Sequence, residues 1–212
     1  MSYGWELHHI FNQICKGEKN ANSIEAYYLK QDTVYPEDAY RMLFITNHDE
    51  NSWNGTVRER MGDAANTMAV LSYTLPGMPL IYSGQEVGLD KRLEFFEKDE
   101  INWDFSSPLP DFYTTLNNLK KDNPALWNGL AGGDMIRINS TDDEHVFAFL
   151  RKKDANQLFV VTNLTGKEAV IFLRGNQHSG EYKCVFSDEN EKIEEGREMV
   201  LKAWESKVYI KQ

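Results

Sequence analysis

Apolar positions in the first half of the chain alternate between two periods. Leu7, Ile10, Phe11, Ile14 and Cys15 fall at helical spacing, and Gly17 can close that helix. Ser23 is a candidate N-cap for a second helix through Ile24, Tyr27 and Tyr28, which Pro36 ends. The run Met42-Leu43-Phe44-Ile45-Thr46 is continuous and short. It suits a strand buried on both faces, as in a parallel sheet. Met61, Ala64, Ala65, Met68, Leu71, Ser72 and Leu75 then follow a 3.6-residue period. They predict one amphipathic helix from about Arg58 to about Thr74, stopped by Pro76-Gly77. A second buried-strand run follows at once, Met78-Pro79-Leu80-Ile81-Tyr82. Strand, helix, strand is a βαβ unit, the building block of α/β barrels and open α/β sheets.

Both strands turn polar abruptly at their carboxyl ends. The first runs into Asn47-His48-Asp49-Glu50-Asn51-Ser52, the second into Ser83-Gly84-Gln85-Glu86. A polar row at this end is either a cap for backbone donors, which Asn51 and Ser52 could supply, or the floor of a functional site.

Residues 87–108 are loop-rich and charged. Glu94-Phe95-Phe96-Glu97-Lys98-Asp99-Glu100 reads as a solvated turn around two buried Phe. Pro108 and Pro110 introduce a helix carried by Phe112, Leu116 and Leu119, and Asn123-Pro124 stops it. The pattern changes near Ala131-Gly132-Gly133. Short strands of alternating pattern follow at 134–139, 145–151, 158–163, 169–173, 182–186 and 203–211, separated by turn-rich pieces. The expected fold class is α/β plus all-β. Residues 1–130 form an α/β domain, and residues 131–212 form an antiparallel β-sandwich domain.

The net charge of −10 over 212 residues disfavours nucleic acid and anionic membrane as partners, and no Lys/Arg cluster offsets it. No apolar run approaches membrane-spanning length. Cys15 and Cys184 fall in the two different expected domains, so buried free thiols are expected rather than a disulfide framework. The N-terminus lacks the basic start, apolar run and cleavage site of a signal peptide. His8-His9 resembles a metal pair, but adjacent helical residues point apart, so surface or packing roles are expected. Trp5, Trp53 and Trp103 are candidates for stacking on sugar rings, with core or loop packing as the simpler role.

Asn47-His48-Asp49, followed after one helix by Gly77-Met-Pro-Leu-Ile-Tyr-Ser-Gly-Gln-Glu86, resembles the alpha-amylase superfamily, glycoside hydrolase family 13. In that family the seventh barrel strand ends in Asn-His-Asp. The eighth carries Gly-x-Pro and a Tyr-x-Gly-x-Glu pattern, matched by Tyr82, Gly84 and Glu86. The resemblance implies a partial (β/α)8 TIM barrel of about its last three βα units, then an antiparallel β domain. Met1–Trp5 looks like the end of the sixth strand. Asp49 matches the acidic residue that grips sugar hydroxyls and stabilises the oxocarbenium-like transition state. His48 and Asn47 match substrate-contacting positions, and Tyr82 and Glu86 are expected to be structural. The substrate implied is an α-glucan such as starch or a maltooligosaccharide.

A retaining glycosidase also needs a nucleophile and an acid/base about 5–5.5 Å apart. The family takes them from its fourth and fifth strands, which have no counterpart in these 212 residues. The chain alone is therefore expected to be inactive. No cofactor or metal is expected in it, although full-length members often bind calcium and are often secreted or periplasmic. An open barrel edge implies an αβ part that is marginal or self-associating beside a folded β domain. Two other readings stand beside this one. One is a non-catalytic carbohydrate-binding or interaction protein that keeps part of the amylase scaffold, with a platform such as Tyr182 or Trp204. The other is a chain that completes its barrel with a separate N-terminal piece.

Overall fold

The computed structural model describes Met1–Gln212 throughout. Its first half contains three short parallel strands, β1 (Ser2–Tyr3), β2 (Arg41–Leu43) and β3 (Met78–Pro79), in the order β1-β2-β3. Two helices, α1 (Trp5–Cys15) and α2 (Asn22–Val34), connect β1 to β2. Two more, α3 (Val57–Met61) and α4 (Ala65–Thr74), connect β2 to β3, and α5 (Leu109–Asp122) follows. β3 can lie alongside β2 only because Gly77 precedes it. Gly77 has φ +149°, and a Cβ there would sit 2.7 Å from Leu43 Cγ and 2.8 Å from the Arg41 carbonyl.

Three expectations for this half need correction. The helix expected from Arg58 to Thr74 is two helices, because Gly62 turns left-handed at φ +52° between them. Ser23 is not an N-cap. Ala21 holds that position, its N–H bonded to the Glu144 carbonyl at 2.9 Å, so the second half of the chain fixes where α2 begins. The strands are also shorter than their apolar runs, and Met42, Met78, Leu80 and Ile81 are only half-buried. Three strands of two or three residues cover little of one another's faces.

The second half is antiparallel. β4 (Asp134–Ile138), β5 (Val146–Lys153), β6 (Asn156–Asn163), β8 (Gly180–Cys184), β9 (Asn190–Ile193) and β11 (Ser206–Lys211) form one sheet in the order β4-β5-β6-β11-β8-β9. β7 (Ala169–Phe172) and β10 (Glu198–Leu201) pair in a second, smaller sheet. Ile171, Leu173, Met199 and Leu201 pack against Val146, Ala148, Phe159 and Val161 between the two. Trp204 lies outside any strand, in a tight turn at φ +53°, and is half-buried. Both cysteines are free, Cys184 buried and Cys15 half-buried.

β5 and β6 do not alternate. Every residue from Val146 to Arg151 and from Gln157 to Asn163 is buried, because the large sheet is covered on both faces. Its second face, with Phe147, Phe149, Leu158, Val160 and Val208, enters one core of 29 residues with Leu7, Phe11, Met68, Leu71 and Leu126. Arg151 crosses this junction fully buried. It donates to the Thr74 carbonyl at 2.7 Å and to the Gly133 carbonyl at 3.0 and 3.3 Å. Burial pushes its guanidinium down to about 10.

The open barrel edge implies a marginal αβ part, but the shared core couples the halves instead, so the chain is expected to melt in one transition seen alike by near- and far-ultraviolet circular dichroism. Arg151→Ala removes the donor for two interfacial carbonyls and leaves a cavity. It should lower stability by about 3 kcal/mol with both signals moving together. An early melt confined to helical signal would show instead that the αβ half is the weaker unit.

Candidate active site

Beyond Leu43 the chain leaves the sheet through Phe44, Ile45 and Thr46, all buried, and turns sharply at Asn47. Asn47 Oδ1 accepts the Glu50 N–H at 2.8 Å, and the Asn47 carbonyl accepts the Asn51 N–H at 2.9 Å. The turn continues as a π-helical segment, Glu50–Asn54, closed by the Gly55 N–H on the Glu50 carbonyl at 3.0 Å. Such wide turns recur where side chains must be re-aimed at functional sites. The result is that His48 and Asp49 stand outward, with side chains 50% and 43% exposed. His48 Nε2 lies 3.6 Å from Asp49 Oδ1, longer than a hydrogen bond but within reach of ionic attraction once the imidazole is protonated. Asn47 does not join them. It is 1% exposed and serves the turn from below, where a sugar contact had been expected.

Beneath this turn lies a buried polar knot that the sequence reading did not find. His8, on α1, is 1% exposed, not a surface residue. Its Nδ1 lies 3.1 Å from the Phe44 carbonyl, which makes that nitrogen the N–H donor, and its Nε2 lies 3.1 Å from Glu50 Oε2. Arg60 of α3 adds three bonds. It donates to the Ile45 carbonyl at 2.9 Å, to the Gly55 carbonyl at 3.0 Å and to Asn12 Oδ1 at 3.0 Å, with Nη1 3.8 Å from Glu50 Oε2. The hydrogen bond from His8 holds the Glu50 carboxyl down at about 2, against the opposing effect of burial. The His8 charge, the Asn54 amide and the Arg60 charge contribute further. Burial lowers the Arg60 guanidinium in turn, and Glu50 resists that. The only signal for this knot in the sequence was Glu50 directly after the Asn-His-Asp triplet.

The loop after β3 is tied to the same turn. Asn51 donates to the Lys91 carbonyl at 3.0 Å and accepts the Leu93 N–H at 2.8 Å, and Ser52 donates to the Leu93 carbonyl at 2.7 Å. Thr56 caps α3 in a reciprocal box with Glu59, and donates to Asp90 at 2.6 Å. Arg92 grips Glu59 through two nitrogens at 2.9 and 3.0 Å. These bonds carry Phe95 and Phe96 to the surface. They are 38% and 82% exposed, so the two buried Phe expected in this turn are not buried.

Tyr82 and Glu86 follow β3. The Tyr82 N–H reaches Gln85 Oε1 at 3.4 Å, and Gln85 Nε2 donates to the Tyr113 hydroxyl at 2.9 Å, so this segment is fixed to α5. Thr46 Oγ1, Asn47 Nδ2 and Glu86 Oε2 are buried near these strand ends without a protein partner. No group of three or more His, Cys, Asp or Glu side chains converges as a metal site. A cavity of about 900 Å³ between the end of α1 and the β6–β7 turn, lined in part by Cys15, Asp142, His145 and Trp204, includes neither His48 nor Asp49 in its wall.

A histidine and a carboxylate presented on a rigid turn at the carboxyl end of a parallel strand can hydrogen-bond a polyhydroxylated ligand. Comparison with known proteins places the chain in a family. Residues 10–131 match the alpha-amylase catalytic-domain family, and residues 146–208 match the alpha-amylase SusG C-terminal domain. The chain therefore belongs to the alpha-amylase family of glycoside hydrolases. An alpha-amylase of Haloarcula japonica is 30% identical over 164 residues, 73% of this chain and 23% of the relative. Alpha-amylase 2 of Dictyoglomus thermophilum is 24% identical over 72% of this chain and 29% of its own length. The fold matches a noncanonic maltogenic alpha-amylase of Thermotoga neapolitana with TM-score 0.79, at 18% identity, over 95% of this chain and 48% of that one. The chain thus spans about a quarter of these curated relatives and about half of this solved structure.

Glu50 gives the site a pH signature. Its folded value lies below its unfolded one, so its contribution to stability is present above about pH 4.5 and is lost as pH falls toward 2. Glu50→Ala leaves Arg60 buried without its carboxylate and should cost about 3–5 kcal/mol at neutral pH. The mutant's urea midpoint should also lose the acid-limb decline between pH 4.5 and 2 that Glu50 supplies. A variant whose acid limb matched the parent's would show that Glu50 is not held as described.

Proposed function

We propose that the chain is the C-terminal part of an alpha-amylase-type retaining glycoside hydrolase acting on α-glucans, comprising the last three βα units of a (β/α)8 barrel over residues 1–130 and a β-sandwich domain over 131–212. The observation that carries this reading is the exposed His48–Asp49 pair on the turn that Glu50 and Arg60 hold at the end of β2. Asp49 accepts hydrogen bonds from hydroxyls of the sugar being cleaved. As positive charge develops on the ring those bonds strengthen, and the barrier falls. His48 donates to the same sugar from Nε2. Asn47 acts from below by fixing the turn, and Tyr82 and Glu86 act by fixing the neighbouring strand end.

The nucleophile and the acid/base are assigned to the barrel strands that precede β1 in the whole protein. Transition-state stabilisers without them have nothing to act on, so the 212 residues alone carry no turnover. Calcium, where the whole protein uses it, is assigned outside these residues. The partner is a neutral α-glucan or maltooligosaccharide, with self-association through the open edges of β1 and β3 as the second contact. A purely carbohydrate-binding role through the β domain finds less support. Tyr182 is fully buried, with its hydroxyl accepting from Gln157 Nε2 at 2.6 Å, and offers no platform.

The test is reducing-end release from maltoheptaose by the purified chain, with an Asp49→Asn preparation as the contamination control. No release above that control is expected. Steady release that Asp49→Asn abolishes would mean that the missing carboxylates are supplied from within these residues.

A further inference from the structure

Trp53, Phe95 and Phe96 form a contiguous aromatic cluster on the surface, 58%, 38% and 82% exposed. Ring centroids are 5.4 Å apart for Trp53–Phe95, 6.4 Å for Trp53–Phe96 and 4.8 Å for Phe95–Phe96. The cluster continues into the active site, since the His48 ring lies 5.8 Å from Phe95. Three large rings left together in water are costly unless something covers them.

We propose that this ledge is a glucan-binding subsite that stacks on a sugar ring next to the one held by His48 and Asp49. The proposal rests on the α-glucan reading given above. Three observations select this occupant. The first is continuity, because a chain of sugars leaving Asp49 past His48 meets Phe95 next. The second is charge. Glu94, Glu97 and Glu100 flank the rings against Lys98, while Lys91 is taken up by Asp99 and Arg92 by Glu59, so the net negative charge that remains disfavours anionic ligands such as nucleic acid or phosphates. A neutral sugar, with an apolar face of C–H groups and hydroxyls at its rim, meets no such penalty. The third is rigidity. Asn51 and Ser52 clamp Lys91 and Leu93 through three hydrogen bonds of 2.7–3.0 Å. The loop is therefore ordered before a ligand arrives, and binding loses less entropy. The same Asn51 and Ser52 follow one residue after the triplet that carries Asp49, so one turn sets both the hydroxyl-binding groups and the ledge.

The test is calorimetric titration of the chain with glucose and with maltoheptaose, for the parent sequence, Trp53→Ala, Phe96→Ala and Asp49→Asn. Trp53 and Phe96 are exposed enough that neither change removes core packing. Each ledge variant is expected to weaken maltoheptaose binding about tenfold and leave glucose, which fills only the Asp49 position, unchanged, whereas Asp49→Asn weakens both. If maltoheptaose binding survives both ledge variants but not Asp49→Asn, the ledge is overturned and the α-glucan reading stands. If the parent binds neither sugar, the α-glucan reading fails and takes the ledge with it. If Phe96→Ala converts a dimer to a monomer in sedimentation while glucan affinity is unchanged, the rings are a contact between copies, and the subsite is overturned.

Discussion

One buried carboxylate organises the functional end of this molecule. Glu50 lies under the turn that follows β2, between His8 of α1 and Arg60 of α3. Without a partner, a carboxylate at this depth would be protonated or expelled. With His8 and Arg60 it becomes the point where two helices and a strand end meet. The backbone carbonyls of Phe44, Ile45 and Gly55 are all spoken for by the same two side chains. The direction in which His48 and Asp49 project follows from this. The sheet alone could not fix it, since β2 ends at Leu43, four residues before Asn47.

From that turn the constraint spreads in two directions. Outward, Asn51, Ser52, Thr56 and Glu59 tie down the loop after β3, so the polar and aromatic parts of the surface move as one body. Inward, α1 and α4 sink their apolar faces into a core that also contains the large antiparallel sheet. Arg151 seals that junction by serving the last turn of α4 and the chain just before β4. The β domain thus acts as a buttress for a short parallel sheet that has little surface of its own with which to hold a site.

Much of this was legible in the sequence. The helical periods around Leu7–Cys15 and Phe112–Leu119 gave α1 and α5, and the two apolar runs ending in polar rows located β2, β3 and the His48–Asp49 turn. What stayed hidden was set by contacts distant along the chain. His8 is buried because Glu50 lies beside it, 42 positions away, and nothing in its own neighbourhood says so. Phe95 and Phe96 look like core residues by composition, but bonds from residues about forty positions earlier hold their loop outward. β9 and β10 went unseen because Asn190–Ile193 and Glu198–Leu201 are only four residues each, the first of them mostly polar, and gain their order from the strands they pair with. The alternation expected of β5 and β6 failed because the sheet is covered on both sides, which a local pattern cannot reveal.

Everything proposed for this molecule depends on the His48–Asp49 turn meeting sugar hydroxyls. The most direct measurement is a crystal structure of the chain with maltoheptaose. One glucose ring is expected with hydroxyls within hydrogen-bonding distance of the Asp49 carboxylate and of His48 Nε2, and a backbone at Asn47–Asn54 unchanged from the free chain. A sugar seated only on the β domain, with Asp49 and His48 still facing water, would contradict it.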